Sequence, residues 1–252
     1  MLTQTVVETR SGSRVAVWQG GAGTPVFAIG GFSPSSFADS GIRPILEEAA
    51  QAGARVVMLD IPGSGRSTAA AGFTMDSWLD DLEEIFDACV GAPAIATGAS
   101  LGGWLMLLMH RRRPDAFNAM CALAPALDWD QLYVAPGLRN GSLTIADGWV
   151  VNAESTMAAS RELLISMPAH HLLGHPYSLT APLHVIAGLR DEIAPAGPVG
   201  AFIRSIAGAP CTGDFLTGAD HRISKLQGPV TIERYRTWLH AQLAQARGSI
   251  AP

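Results

Sequence analysis

The stretch at residues 94–112 reads AIATGASLGGWLMLLMHRR and decides the fold. Residues 94–97 form a short apolar run that predicts a buried β-strand, and residues 101–112 predict a helix closed by arginines, where the helix dipole favours cations. The two elements are joined by Gly98-Ala99-Ser100-Leu101-Gly102, which has the pattern G-x-S-x-G. Between a strand and a helix this pattern presents the serine as a nucleophile, and the glycines remove side chains that would collide in the turn. The alternative interpretation is a serine that caps an ordinary helix.

The rest of the chain alternates short apolar runs with helical patterns. After a hairpin at about residues 4–18, strands buried on both faces are predicted at 26–29, 55–59, 94–97, 119–123, 183–187 and 211–216. Helices are predicted between them at 42–51, 76–90, 101–112, 198–206 and 229–246. This alternation predicts an α/β fold, with a mostly parallel central sheet and helices on both of its faces.

The alternation fails between residues 128 and 177. A structureless loop of roughly 50 residues is uncommon in a compact domain, so we expect a small helical cap at 128–177. The cap would divide the core into a first part, 1–127, and a second part, 178–252. Aromatic side chains predict an apolar substrate pocket, although such residues more often pack a cap onto a core. The candidate substrate-binding residues are Phe32, Trp129, Tyr133 and Trp149.

The composition excludes several classes of protein. The chain has 252 residues, of which 48% are apolar and 15% charged, which is typical of a folded globular domain and not of a disordered chain. The longest apolar run, at residues 101–109, is far shorter than the roughly 20 residues of a membrane span, so we expect no span. The net charge of −5 argues against a nucleic-acid partner, because phosphate binding needs a cationic face. The N-terminus lacks the features of a signal peptide, so we expect a cytoplasmic protein, and we leave open whether it forms a homodimer.

A serine hydroxyl is a poor nucleophile at neutral pH and needs a histidine base held by an acid. Among seven histidines, His221 is the best placed, because it follows the last predicted strand. Asp191 follows the strand at 183–187 and is the best acid, with Glu192 and Asp220 as alternatives. Open α/β sheets place their sites just beyond the C-terminal ends of strands, and the chain order Ser, Asp, His is the one expected with this turn.

An acyl-transfer site also needs hydrogen-bond donors for the oxyanion. We expect one donor to be the amide of Leu101, the residue after the nucleophile. The second is expected from the loop at Gly30-Gly31, with the Phe32 amide assigned and Ser33 as the alternative. An ordinary glycine turn is the competing interpretation of this loop.

The sequence predicts neither a metal nor a cofactor. His171 and His175 have a spacing seen in metal sites, but Gly174 and Pro176 break the helix that would align them. The three cysteines are widely spaced and lack the C-x-x-C pairs of zinc or redox sites, so we expect reduced thiols. The chain holds a single lysine, Lys225, and no Gly-Lys pair for a phosphate-binding loop.

Taken together, these motifs resemble the α/β-hydrolase superfamily over about residues 24–245. Two stretches are similar to sequences of the branch that contains the mitochondrial acyl-glucuronide esterase and palmitoyl-protein thioesterase. They are residues 98–107, which contain the G-x-S-x-G turn, and Asp220-His221-Arg222. Residues 60–67, DIPGSGRS, are a further match. The resemblance implies a triad of Ser100, Asp191 and His221, in agreement with the assignment from the residues. The superfamily usually has His-Gly where this chain has Gly30-Gly31, so a side chain that braces the oxyanion loop is missing.

We therefore expect a serine hydrolase that cleaves a carboxylic ester or thioester of a small molecule through an acyl-enzyme on Ser100. An alternative keeps the fold and the triad for carbon–carbon bond hydrolysis, acyl transfer or a lyase-type step. A third hypothesis is a ligand-binding receptor on a hydrolase scaffold, against which the complete triad argues.

Overall fold

The computed structural model describes residues 1–146, 149–152 and 158–248. Its strands are β1 (Thr3–Glu8), β2 (Arg14–Gly20), β3 (Thr24–Ile29), β4 (Ala54–Leu59), β5 (Ala94–Ala99), β6 (Phe117–Leu123), β7 (Leu143–Ala146), β8 (Trp149–Asn152), β9 (Ala158–Ser160), β10 (Ser178–Leu179), β11 (Leu183–Gly188), β12 (Ala207–Gly208) and β13 (Cys211–Leu216). Its α-helices are α1 (Ile42–Gln51), α2 (Met75–Cys89), α3 (Leu101–Arg112), α4 (Ala135–Asn140), α5 (Arg161–Ser166), α6 (Ala196–Ser205) and α7 (Pro229–Gly248).

Eight strands form the central sheet, in the order β1-β2-β4-β3-β5-β6-β11-β13. The six strands from β4 to β13 pair in parallel, and the hairpin β1-β2 adds an antiparallel edge. The predicted fold class is confirmed, because each of the six apolar runs forms a parallel strand. Strands β4 and β5, which follow β3 along the chain, lie on opposite sides of β3 in the sheet. The C-terminal ends of β3 and β5 therefore border the crevice where open α/β sheets bind ligands.

Helices cover both faces of the sheet, and alternate strand residues belong to two separate cores. On β3, Phe27 and Ile29 pack on the side of α2 and α3, whereas Val26 and Ala28 pack on the side of α1 and α7. Helix α3 is buried on all sides from Leu101 to His110, which explains the uninterrupted apolar sequence there. None of the described helices is both long and apolar enough to cross a membrane.

The insertion at 128–177 contains helices and also a sheet that the sequence did not predict. Strands β7, β8 and β9 pair antiparallel, and each spans only three or four residues, too few for a clear alternation of apolar and polar side chains. The two ends of the insertion are joined at Asp128, whose carboxylate accepts hydrogen bonds from the amides of Leu172 at 2.8 Å and Leu173 at 3.0 Å. His171 Nε2 lies 2.9 Å from an Asp130 carboxylate oxygen and adds a second link.

Candidate active site

Ser100 occupies a strained turn between β5 and α3. Its φ of 53° and ψ of −123° are rarely adopted by residues other than glycine. The turn is held on both sides, because the Ser100 amide donates to the Leu123 carbonyl at 2.9 Å and the Ser100 carbonyl accepts from the Ala126 amide at 3.1 Å. A Cβ on Gly98 would lie 2.4 Å from the Gly102 carbonyl oxygen, so the chain can turn this tightly only with glycine there.

Three polar side chains, remote in sequence, form a continuous chain of hydrogen bonds. The Ser100 Oγ lies 2.8 Å from His221 Nε2, and His221 Nδ1 lies 2.8 Å from Asp191 Oδ2. Each residue follows a parallel strand: Ser100 follows β5, Asp191 follows β11 and His221 follows β13. The structure thus brings together the three residues that the sequence assigned to the site.

The Asp191 side chain is fully buried and accepts three hydrogen bonds. Its Oδ1 accepts from the amides of Ile193 at 2.9 Å and Ala194 at 2.7 Å, which leaves Oδ2 to face His221. These bonds compensate for burial of the carboxylate and fix its orientation. Of the alternative acids, Asp220 is exposed and bonds to Arg222, and no hydrogen bond joins His221 to Glu192 in the described chain.

Several of the other histidines have side-chain partners away from Ser100. His110 is buried against the Tyr177 and Thr180 hydroxyls, and burial lowers its pKa. His184 Nδ1 lies 2.9 Å from the Thr212 hydroxyl. His171 bonds to Asp130, and His175 lies beyond the helical turn that ends at His170. Within residues 1–146, 149–152 and 158–248, no group of three or more His, Cys, Asp or Glu residues is arranged to hold a metal ion.

Phe32 and Leu101, whose amides are the predicted oxyanion donors, line the same cavity as Ser100. Neither amide donates to another described residue, so both are free to bind a ligand. Leu101 begins α3, so its amide also carries the positive end of that helix. The Ser33 amide, in contrast, donates to the Ser64 hydroxyl at 2.9 Å and is occupied.

The loop after β3 is braced by the segment that follows β4. The Asp60 carboxylate accepts from the amides of Phe37 at 2.6 Å and Arg66 at 2.9 Å, and the Gly65 amide donates to the Ser33 carbonyl at 2.8 Å. Burial raises the pKa of Asp60 despite these bonds. A Cβ on Gly30 would lie 2.7 Å from the Phe37 Cβ, so a histidine side chain has no room there. In the sequence, residues 60–67 match the superfamily but show no role of their own; in the structure, contacts from this segment supply the bracing.

A cavity of about 280 Å³ opens beside Ser100 and His221. Phe32, Phe37, Leu101, Trp129 and Ile193 form its apolar lining, and Ser33, Ser35, Ser224 and Lys225 form its polar lining. Of the four candidate substrate-binding residues, only Phe32 and Trp129 line this cavity. Tyr133 stacks behind Trp129 with ring centroids 5.8 Å apart. Trp149 is 40% exposed on β8, outside the cavity.

The fold agrees with a match to a family model. Residues 41–170, just over half of the chain, match the model described as serine aminopeptidase, S33. The chain belongs to this family of α/β hydrolases.

Two curated relatives are 30% identical to parts of the chain. Palmitoyl-protein thioesterase ABHD10, mitochondrial, from Mus musculus matches over 146 residues, which are 55% of this chain and 49% of the relative. The 2-hydroxymuconate semialdehyde hydrolase of a Pseudomonas strain matches over 118 residues, which are 46% of this chain and 41% of the relative. The chain therefore spans about half the length of the curated relatives it matches. Because the first relative is named mitochondrial, a cytoplasmic location stays a prediction.

The fold is shared over nearly the whole chain with a solved relative. The structure of mouse alpha/beta hydrolase domain-containing protein 10 superposes with a TM-score of 0.77 over 96% of this chain and 99% of that one. At 21% sequence identity, this similarity shows the fold and nothing finer.

Proposed function

We propose that this protein is a serine hydrolase that cleaves a carboxylic ester or thioester of a small molecule, with Ser100 as nucleophile. The observation that carries the proposal is the hydrogen-bond chain from Ser100 through His221 to Asp191, which ends at a strained serine beside a cavity. A serine that only caps a helix would have no need of a histidine and a buried carboxylate aligned behind it.

In the first half of the reaction, Ser100 Oγ attacks the substrate carbonyl carbon. With the His221 Nδ1–H donated to Asp191, Nε2 is the unprotonated nitrogen and takes the serine proton. The tetrahedral intermediate collapses as its bond to the leaving alcohol or thiol breaks, and the His221 Nε2–H protonates that leaving group. An acyl group is then esterified to Ser100.

In the second half, water replaces the leaving group. His221 removes one proton from the water while the water oxygen attacks the acyl carbon. His221 then gives this proton to Ser100 Oγ as the carboxylic acid departs. Both halves develop negative charge on the carbonyl oxygen. The free amides of Phe32 and Leu101 supply two donors for that oxygen, assisted by the start of α3.

The size of the cavity favours a compact acyl or aryl group. Its volume of about 280 Å³ lies below the roughly 300–1,000 Å³ of pockets that enclose drug-sized ligands. A palmitoyl chain, after which the mouse thioesterase is named, is a larger acyl group than a cavity of this size favours. We therefore propose short-chain or aromatic esters and thioesters before long-chain ones.

Hydrolysis of a carbon–carbon bond is the second candidate function. It would use the same triad, and a relative that is 30% identical over 118 residues is named 2-hydroxymuconate semialdehyde hydrolase. Such a substrate would also have to be protonated on the carbon that leaves. The products distinguish the two functions. Ester or thioester cleavage releases an alcohol or thiol, whereas carbon–carbon cleavage releases a product in which the leaving carbon carries a new C–H bond.

A fluorophosphonate probe tests the proposed nucleophile. We expect wild type to be labelled and Ser100→Ala to remain unlabelled, with hydrolysis of short aryl esters lost in the same variant. Ser205→Ala is the matched control, because Ser205 lies at the end of α6, outside the cavity, and should label as wild type. An unlabelled wild type, or a labelled Ser100→Ala, would overturn the proposal.

A further inference from the structure

Lys225, the only lysine in the chain, lines the cavity beside Ser100. It ends the short 3-10 helix His221–Lys225, which begins with the histidine of the site. Its backbone is held in place, because its carbonyl accepts from the Gly41 amide at 3.0 Å. Its Nζ donates to the Ser33 hydroxyl at 3.2 Å, so the ammonium group reaches across to the loop after β3.

No carboxylate in the described part of the chain forms an ion pair with Lys225. The nearby Arg66, in contrast, is paired with Asp39 at 3.0 Å. A half-buried ammonium without a counter-charge has lost part of its hydration without a compensating ion pair. Two of its three N–H donors remain for a ligand after the bond to Ser33.

The Ser33 hydroxyl has its own donor left over. Its oxygen accepts from Lys225 Nζ and from the Ser35 amide at 3.1 Å, which uses both lone pairs. The hydroxyl proton is therefore available, and Ser33 lines the cavity. Lys225 and Ser33 together present a positive charge and several hydrogen-bond donors at one end of an otherwise largely apolar cavity.

A second, more polar cavity of about 500 Å³ adjoins the first. The two share Pro34, Ser35 and Lys225 in their walls, so the ammonium lies where they meet. The charged side chains that line the second cavity are two cations, Arg66 and Lys225, and one anion, Asp39, so its net charge is positive. A group too polar for the apolar cavity can occupy this position while the scissile carbonyl stays at Ser100.

We propose that Lys225 and Ser33 bind an anionic group, a carboxylate or a phosphate, carried by the alcohol or thiol that leaves; this inference rests on the proposed function. The leaving group is the assigned side because His221 must protonate it, and Lys225 lies on the same short helix as His221. The apolar lining formed by Phe32 and Trp129 then receives the acyl group. Lys225 acts in binding and specificity, and takes no part in bond breaking.

The test uses matched charged and neutral substrates with wild type and Lys225→Met. Para-acetoxybenzoate and para-acetoxybenzamide place a carboxylate or a neutral amide on the leaving phenol, and para-acetoxyphenyl phosphate is the phosphate arm. Monophenyl glutarate carries a carboxylate on the acyl group, and the matching glutaramic acid phenyl ester carries a neutral amide there. We expect Lys225→Met to lower the ratio of kcat/KM for the charged to the neutral leaving group by about tenfold or more, the effect of one charge-assisted hydrogen bond.

Three further variants separate charge from folding. Lys225→Arg keeps the charge and should restore most of the ratio, and Ser33→Ala should lower the ratio less than Lys225→Met does. Arg10→Met removes a cation that is 92% exposed beside Glu84 and should leave the ratio as in wild type. A ratio that Lys225→Met does not change, or one that changes equally for the acyl-side pair, overturns the inference.

Binding of the product makes the result independent of turnover. We expect calorimetry to show that wild type prefers para-hydroxybenzoate to para-hydroxybenzamide and that Lys225→Met does not; the absence of this preference in wild type overturns the inference. Failure of the proposed function is seen separately, as hydrolysis of the neutral ester that persists in Ser100→Ala.

Discussion

Gly31 lies directly against the nucleophile: a Cβ built on Gly31 would be 2.9 Å from the Ser100 Cβ and 3.0 Å from the Ala99 carbonyl oxygen. Real Cβ atoms do not approach other atoms so closely without displacing them, so the loop after β3 can contact the serine side chain only through a bare backbone. The residue that follows this contact is Phe32, whose amide is the proposed second oxyanion donor. The close approach to Ser100 thus accounts for glycine at position 31.

Gly31→Ala should therefore impair catalysis more than folding. The added methyl displaces the loop and with it one proposed oxyanion donor, and loss of such a donor typically lowers kcat by about 100- to 1,000-fold. Overpacking should lower the free energy of unfolding by about 1–3 kcal/mol. Steady-state kinetics and urea unfolding measure the two effects. Gly197→Ala is the control, since a Cβ there meets nothing within 4 Å, and wild-type rates in Gly31→Ala would contradict the assignment.

Asp191→Asn should abolish most activity while preserving the fold. The asparagine oxygen can still accept from the Ile193 and Ala194 amides, but the group that faces His221 becomes an N–H donor and disfavours the required tautomer. We expect kcat to fall by about 10⁴-fold, as in serine proteases with this change. Asp220→Asn tests the alternative acid and should stay within about twofold, because its partner Arg222 is exposed. The reverse order of the two effects would assign the acid to Asp220.

Asp128 should matter for the stability of the cap. Its carboxylate satisfies two amides at the far end of the insertion, those of Leu172 and Leu173, and its φ of 47° is tolerated by aspartate and asparagine but not by most residues. Asp128→Ala should lower the free energy of unfolding by about 2–4 kcal/mol, because two amides lose their acceptors. Asp128→Asn keeps one acceptor and the backbone tolerance and should cost less. Urea unfolding measures this order, with exposed Asp115→Ala as control; equal losses for both Asp128 variants would contradict it.

His110 should make stability depend on pH. Burial lowers its pKa in the folded protein, so the unfolded chain binds more protons between the folded value and the unfolded value near 6.5. The free energy of unfolding is therefore highest above about pH 6.5, where His110 is neutral in both states. It decreases as the pH falls through this window, by at most about 1.4 kcal/mol per pH unit. His110→Gln should flatten this part of the stability curve measured by urea unfolding. His240→Gln, on the exposed face of α7, should not, and an unchanged slope in His110→Gln would contradict the prediction.

Much of the fold could be predicted because its signals are local. The continuous apolar runs at β3 and β5 show that both faces of the strand are buried, and this is visible within six residues. The glycines around Ser100 likewise predict the tight turn from a few adjacent residues. The sheet of β7, β8 and β9 escaped notice because strands of three or four residues are too short to show a period.

The sequence predicted the three residues of the candidate site, but not which residues line the cavity or brace the loop after β3. Motif and chain order pointed to Ser100, Asp191 and His221. The four aromatic candidates could not be ranked, because whether a side chain faces a cavity depends on elements distant in sequence; the structure directs Phe32 and Trp129 to the cavity and leaves Trp149 exposed. The bracing of the loop after β3 by Asp60 was missed because it joins residues about two dozen positions apart through a backbone amide, which carries no side-chain signature.

By itself, the sequence determined the order along the chain of the central-sheet strands and the helices between them, and the tight turn at Ser100, since backbone preference and hydrophobic periodicity act over a few residues. Only the tertiary structure decided that Ser100 and His221, 121 positions apart, meet at 2.8 Å, and that Lys225 reaches the Ser33 hydroxyl across 192 positions. Such distances follow from how the sheet twists and how the loops at its C-terminal edge pack together. That packing is a property of the whole core, and no local stretch of the chain encodes it.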